Sequence, residues 1–238
     1  MKALQELKVK IFSDGADKAA LLALYQNPLI KGFTTNPTLM CKAGITKYEQ
    51  FAREILQAIP DRPISFEVFS DEFDEMERQA LKIAGWGENV FVKIPITNTR
   101  RQSSAKLIGK LGKAGVKVNV TAMCSLEQLQ SVLEPLSLAP AAYASIFAGR
   151  IADTGRDPVP IMAKAVEMLK ACPHIELLWA SPRELLNIFQ ADAIGCHIIT
   201  VTHDILKKLE CVGKDLEDFS LDTVKMFHQD AMRAGFKL

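Results

Sequence analysis

Apolar positions along this chain follow two alternating rhythms. Short runs that are apolar at every second position, or apolar throughout, predict strands at Lys8–Ser13, Ile30–Pro37, Ile64–Phe69, Val90–Pro95, Val116–Thr121, Ala142–Phe147, Glu176–Ser181 and Cys196–Val201. Between them apolar residues return every three or four positions and predict helices over Ala16–Gln26, Tyr48–Ala58, Glu72–Gly85, Lys106–Ala114, Leu126–Leu133, Pro158–Ala171 and Arg183–Gln190. Asp157 reads as the cap of the sixth of these, with Pro158 in its first turn. A strand that regularly hands over to a helix implies a parallel sheet, because parallel neighbours need a crossover between them. About eight such units in 238 residues point to one domain folded as a closed (β/α)8 TIM barrel. No G-x-G-x-x-G follows the first strand, which removes the main support for a dinucleotide-binding sheet. A last helix, Ser220–Ala234, is apolar at Leu221, Val224, Phe227 and Ala231 and is not needed by the barrel. The 220–238 segment is free to fold back on its own subunit or to dock on another.

The fourth strand, Val90-Phe91-Val92-Lys93-Ile94-Pro95, sets a lysine in an otherwise buried run. Two readings are open. An edge strand would turn Lys93 to water. A barrel interior would partly desolvate it, lowering its pKa so that the free amine can attack a carbonyl. Reactions in such barrels occur at the carboxyl ends of the strands, and polar residues collect there in this chain. Asp14 ends the first strand and Asn36 the second, Glu67 lies late in the third and Lys93 in the fourth. Asn119 and Thr121 share a face of the fifth, and Ser145 and Phe147 share a face of the sixth, with Arg150 just beyond. Ser181 closes the seventh and Arg183 opens the helix after it. Each has a structural explanation alone, Asp14 or Ser181 as a cap, Asn36 as a turn residue, Arg150 as a solvated cation. Capping alone does not account for a set spread over seven successive strand ends.

Composition narrows the chemistry. Hydrophobic residues make up 48% and charged residues 24%, enough for one sizeable core, and the formal charge of +1 comes without a polybasic run or acidic tail. That balance gives no electrostatic case for nucleic acid or an anionic membrane. The start, Met1-Lys2-Ala3-Leu4-Gln5-Glu6, lacks the apolar core of a signal peptide and no segment has the length of a membrane span, so a cytoplasmic protein is expected. The five cysteines are scattered and read as reduced, mostly buried thiols; the four histidines lack metal-ligand spacing, and neither a metal nor another cofactor is expected.

Thr34-Thr35-Asn36-Pro37-Thr38, the Val-Lys-Ile-Pro around Lys93, Asn119-Val120-Thr121, Ser145-Ile146-Phe147-Ala148-Gly149-Arg150-Ile151 and Ala180-Ser181-Pro182-Arg183 together resemble the transaldolases, most closely the small subfamily that also holds the fructose 6-phosphate aldolases. The resemblance covers nearly the whole chain in order. It implies that Lys93 forms a Schiff base with a ketose phosphate and that Asp14 takes the C4 hydroxyl proton as the C3–C4 bond breaks. Glu67, working with Thr121 through a water, would move protons as the Schiff base forms and is hydrolysed. Asn36, Asn119 and Ser145 would hold the dihydroxyacetone hydroxyls, and Arg150, Ser181 and Arg183 the phosphate. A protonated imine is an electron sink for the carbanion left by carbon–carbon cleavage, so this chemistry needs no metal. Electrostatics place a water between Glu67 and Lys93, since an adjacent carboxylate keeps the ammonium charged.

Transaldolases resemble one another in carrying glutamate on the third strand and phenylalanine on the sixth, where the aldolases have glutamine and tyrosine. Glu67 and Phe147 side with transaldolase, leaving an aldolase that releases free dihydroxyacetone as the alternative. A barrel that binds phosphate through Arg150 and Arg183 without chemistry is the non-enzymatic reading, and it leaves Asp14, Glu67 and Lys93 without a purpose. The last helix is similar to the segment by which small relatives pack into rings, which implies a homo-oligomer, a pentamer or decamer. Two stretches depart from the family pattern: the basic loop Thr97–Ser104, either a solvated loop or a contact to the sugar phosphate, and Pro182, where relatives often carry phenylalanine.

Overall fold

The computed structural model describes residues 3–237, so Met1 and Lys2 of the amino-terminal reading and Leu238 of the last segment lie outside the described residues. Its strands are β1 (Lys10–Asp14), β2 (Ile30–Thr34), β3 (Ile64–Glu67), β4 (Val90–Pro95), β5 (Val118–Met123), β6 (Ala142–Ile146), β7 (Ile175–Trp179) and β8 (Ile198–Thr202). Each pairs in parallel with the next, and β8 returns to β1 through the register Lys10↔Ile198 to Asp14↔Thr202, closing the barrel. The helices are α1 (Lys18–Tyr25), α2 (Pro37–Lys42), α3 (Tyr48–Ala58), α4 (Phe73–Ala84), α5 (Ala105–Lys113), α6 (Leu126–Leu136), α7 (Ala148–Ala152), α8 (Val159–Leu169), α9 (Leu186–Ala193), α10 (His203–Leu206) and α11 (Leu216–Ala234). Closure leaves no edge strand, so the solvent-facing reading of Lys93 has no place in this fold.

Alternation along the strands sorts side chains into two separate buried clusters. Val90, Val92, Ile94, Val118, Val120, Ala144 and Ile146 pack outward with the helices in the larger one. Phe12, Phe91, Tyr143, Leu178, Ala180 and Ile198 fill the barrel interior in the smaller one. There the rings of Phe91 and Tyr143 stack with centroids 3.9 Å apart, and Phe12 meets Tyr143 edge-on at 5.9 Å. Gly32 is what admits the Phe12 ring, since a Cβ at that position would lie 2.5 Å from it. This aromatic layer floors the barrel, and the polar residues of the strand ends stand above it.

Several elements begin or end away from the expected positions, each for a local reason. The second strand stops at Thr34, because Asn36 caps the unanticipated helix α2: its side chain accepts from Leu39 N, and Pro37 occupies the first turn. The third strand stops at Glu67 instead of Phe69, which is exposed. The seventh stops at Trp179, and Ser181 lies beyond it in the left-handed region at φ 59°. Helix α9 starts at Leu186 instead of Arg183, whose backbone N–H donates to Asn187 Oδ1 at 2.8 Å. Helix α11 starts at Leu216, where Asp215 accepts from the N–H groups of Glu217 and Asp218, and Gly235 ends it at φ 66°. The cysteines are all free, but Cys41 and Cys124 are exposed and only Cys196 is fully buried, which corrects the expectation of mostly buried thiols. Cys41 lies on α2 and Cys124 just after β5, both on loop-side structure that faces outward.

Candidate active site

The closed sheet decides which strand ends meet. Glu67, Lys93 and Asn119 are direct Cα partners across β3, β4 and β5, and Asp14 is the partner of Thr34 across β1 and β2. Lys93 is 6% exposed, held between the aromatic floor and a cavity of about 640 Å³. Its Nζ donates to the Thr35 carbonyl at 2.9 Å and lies 3.3 Å from Glu67 Oε2. This corrects the expected intervening water. Facing residues on adjacent strands are about 4.8 Å apart, so the glutamate and lysine side chains, both long and on one face, meet directly.

Asp14 accepts from Thr34 Oγ1 at 2.6 Å, and the same hydroxyl is 2.6 Å from Thr200 Oγ1. Burial pushes the Asp14 carboxyl above the ordinary aspartate range; the Lys93 charge and the Thr34 hydrogen bond pull it back only in part. On the other side of Lys93, Ser145 Oγ donates to Asn119 Oδ1 at 2.7 Å and Asn119 Nδ2 donates to Ser65 Oγ at 3.0 Å, fixing the amide orientation. Thr121 Oγ1 is buried with no hydrogen-bond partner among the described residues. It lines the cavity with a free donor and acceptor.

The rim is built by two loops pressed together. A Cβ on Gly149 would lie 1.5 Å from the Ser181 carbonyl oxygen, so only glycine lets the start of α7 sit against the end of β7. That approach sets Arg150, Ser181, Pro182 and Arg183 on one side of the opening. Arg183 is engaged by Asp153, with Nε 2.9 Å from Oδ1 and a second bond to Oδ2. Ala122 and Ser181, both on the cavity wall, have positive φ of 64° and 59°. Backbone in that region is costly outside glycine and tends to gather at functional sites.

All eleven residues singled out from sequence line this cavity: Asp14, Asn36, Glu67, Lys93, Asn119, Thr121, Ser145, Phe147, Arg150, Ser181 and Arg183. Sequence reading passed over Thr34, Thr200, Thr202 and Asp204, which line it too. The signal for the threonines was present, since Ile198-Ile199-Thr200-Val201-Thr202 alternates as clearly as the other strands. The basic loop at 97–104 stays outside: Arg100 pairs with Glu72 at 2.8 Å and Asp71 at 3.4 Å and does not line the cavity. No cluster of three or more His, Cys, Asp or Glu side chains suited to a metal occurs among the described residues. No helix among them is long and apolar enough to cross a membrane.

Known solved structures share the fold at low identity. A mandelate oxidase mutant carrying a monooxide FMN adduct superposes with TM-score 0.57 at 12% identity, covering 90% of this chain and 71% of that one. A native KDPGal structure gives TM-score 0.52 at 15% identity over 84% and 85% of the two chains. Sequence likeness is more specific. A "Probable transaldolase" from Dehalococcoides mccartyi is 34% identical over 202 residues, 84% of this chain and 90% of the relative. One from Thermoanaerobacter sp. is 32% identical over 231 residues, 97% of this chain and all of the relative. The family model described as Transaldolase/Fructose-6-phosphate aldolase matches residues 11–238, and with these relatives it makes the chain a member of that family.

Proposed function

We propose that this protein is a Schiff-base transaldolase that moves a dihydroxyacetone unit from a ketose phosphate such as sedoheptulose 7-phosphate to an aldose phosphate such as glyceraldehyde 3-phosphate. The observation that carries the reading is a buried amine, Lys93, flanked by Glu67 and opening onto a cavity that Asp14 also lines. The Lys93 ammonium passes one proton to the Glu67 carboxylate beside it, the freed amine adds to the C2 ketone, and the ketone oxygen leaves as water with the proton returned by Glu67 and one amine hydrogen, giving an iminium that keeps one N–H. Glu67 supplies and removes the protons of that step, with Thr121 holding the water. As C3–C4 breaks, the electron pair flows into the iminium and the C4 hydroxyl proton passes to Asp14. The aldose phosphate leaves, the enamine adds to the acceptor aldehyde, and water then releases the new ketose. Asn36, Asn119 and Ser145 hold the three-carbon unit, while Arg150, Ser181 and Arg183 hold the phosphate, with Arg183 exchanging part of its bond to Asp153 for the phosphate oxygens.

Transfer is favoured over aldolase chemistry because no phenol reaches the carbanion. The three tyrosines are Tyr25, Tyr48 and Tyr143, none of them lining the cavity, while the sixth strand presents Phe147 there. An enamine without a ready proton donor waits for an aldehyde.

A homo-oligomer belongs to the same proposal. Helix α11 has no buried residue and exposes Phe219, Leu221, Val224, Met226 and Phe227, an apolar surface suited to a second copy of the chain.

Borohydride reduction in the presence of fructose 6-phosphate should leave a covalent adduct on Lys93, absent in Lys93→Ala. Without acceptor aldehyde no free dihydroxyacetone should accumulate; its steady release would instead identify the aldolase.

A further inference from the structure

Parallel pairing dictates where the backbone groups of Glu67 ought to go. Phe33 N donates to Pro63 O at 2.9 Å and Thr35 N to Ser65 O at 3.1 Å, which sets the β2–β3 ladder. The next rung in that pattern would run from Glu67 N–H to the Thr35 carbonyl. It is missing. The Thr35 carbonyl accepts from Lys93 Nζ instead, at 2.9 Å. The Tyr48 hydroxyl serves both orphaned groups of Glu67, accepting from its N–H at 2.9 Å and donating to its C=O at 2.8 Å.

The phenol is well anchored for this. Tyr48 opens α3, and its ring packs against Phe69, Trp86 and Phe66 with centroids 5.6, 5.9 and 6.4 Å away. Burial pushes its pKa above the ordinary phenol value, so the hydroxyl keeps its proton and can donate and accept together. Tyr48 lies outside the cavity and touches none of the residues' reacting atoms.

We infer that Tyr48 is a positioning residue: its hydroxyl substitutes for the missing rung, holding Glu67 beside Lys93 and leaving the Thr35 carbonyl for the amine. The need is greatest during turnover, and here the inference rests on the Schiff-base reading above. When the amine becomes the iminium a single N–H remains, on a planar nitrogen whose direction the bound substrate sets, and the Thr35 carbonyl no longer has the freely turning donor of the resting lysine. Without Tyr48, Glu67 N–H is the nearest replacement on the ladder, and closing that rung draws the carboxylate toward β2 and away from the imine.

The test is Tyr48→Phe, which keeps the ring packing and removes only the hydroxyl. The rate of forming borohydride-trappable imine from fructose 6-phosphate should fall about tenfold, a fraction of the roughly 10²- to 10⁴-fold that a proton-transfer group itself contributes. KM for the acceptor aldehyde should not change. In a Glu67→Gln background the substitution should cost nothing further, because both act through one carboxylate. An unchanged trapping rate, or losses that multiply in the double variant, overturns the inference. A wild-type protein that traps no adduct refutes the Schiff-base reading itself and is thereby told apart. A crystal structure of the reduced wild-type adduct gives a check independent of any variant's folding: Tyr48 Oη should still bridge the Glu67 N–H and C=O, and a Glu67 N–H bonded to Thr35 O would overturn the inference.

Discussion

Replacing Asp14 by asparagine should make the protein more stable and nearly inactive. The carboxylate stands half-buried on the cavity wall at the end of β1, and its pKa is raised because desolvation outweighs both the nearby Lys93 charge and the Thr34 hydrogen bond. An ionised Asp14 is therefore held at a net cost to folding, and each pKa unit of elevation corresponds to about 1.4 kcal/mol. Asparagine keeps the shape and an acceptor for Thr34 Oγ1 while removing the charge. The sign follows from linkage. A carboxyl whose pKa rises on folding contributes its stability below the unfolded value, near 3.8, and that contribution is lost as pH climbs through the folded value. Wild type and variant should thus melt alike at the acid end. Their difference should open in the variant's favour as pH rises and level off once Asp14 is fully ionised.

A gain of about 1 kcal/mol at neutral pH, typical of relieving a strained functional group, shifts Tm by about 2–4 °C in a chain of this size. Transfer activity should fall by about 10²- to 10⁴-fold, the loss of a base that accepts the C4 hydroxyl proton. Circular-dichroism melts of both proteins across the accessible pH range, paired with a coupled transfer assay, measure the two effects together. If the variant melted lower at neutral pH, with the gap closing in acid, attraction to Lys93 would outweigh desolvation, and the account of Asp14 as a carboxylate held against its preference would be wrong.

What the sequence disclosed, and what it withheld, divides along the distance between interacting residues. Alternation within each strand was enough to put Asn119 with Thr121 and Ser145 with Phe147 on shared faces, because side-chain direction is a local property of a strand, but in the uniformly apolar fourth strand it left Lys93 open between water and the barrel interior. The eightfold succession of units then implied closure. Asn36 was read as a strand end although the Asn-Pro pair carries both a cap and a first-turn residue; the β-like run before it hid the helix start. Helix α7 spans five residues with Gly149 inside, too short for any periodicity to register. The direct contact of Glu67 with Lys93 needed the β3–β4 register, which a pattern of apolar residues cannot specify. Tyr48 marked only the start of the helix expected over Tyr48–Ala58, since nothing local says that its hydroxyl will meet a strand end nineteen residues later. The Asp153–Arg183 pair, thirty residues apart, was invisible for the same reason.

The remaining predictions concern the rim and the last helix. Gly149→Ala places a methyl 1.5 Å from the Ser181 carbonyl oxygen, and because the obstacle is backbone the loops must separate, at about 1–3 kcal/mol in thermal stability. KM for phosphorylated substrates should rise with it, since Arg150 and Ser181 move apart; unchanged kinetics would mean that this contact does not set the phosphate site. Phe227→Asp combined with Val224→Asp should leave the barrel's circular-dichroism spectrum intact, because α11 buries no side chain within its own chain. The same pair should dissociate the assembly in analytical ultracentrifugation. A stable interface covers at least about 1,200 Å² in total, and two carboxylates set in its apolar centre are desolvated without partners, several kcal/mol against association. A wild-type protein that sediments as a monomer, or a variant of unchanged mass, would show that this exposed face does not hold the copies together.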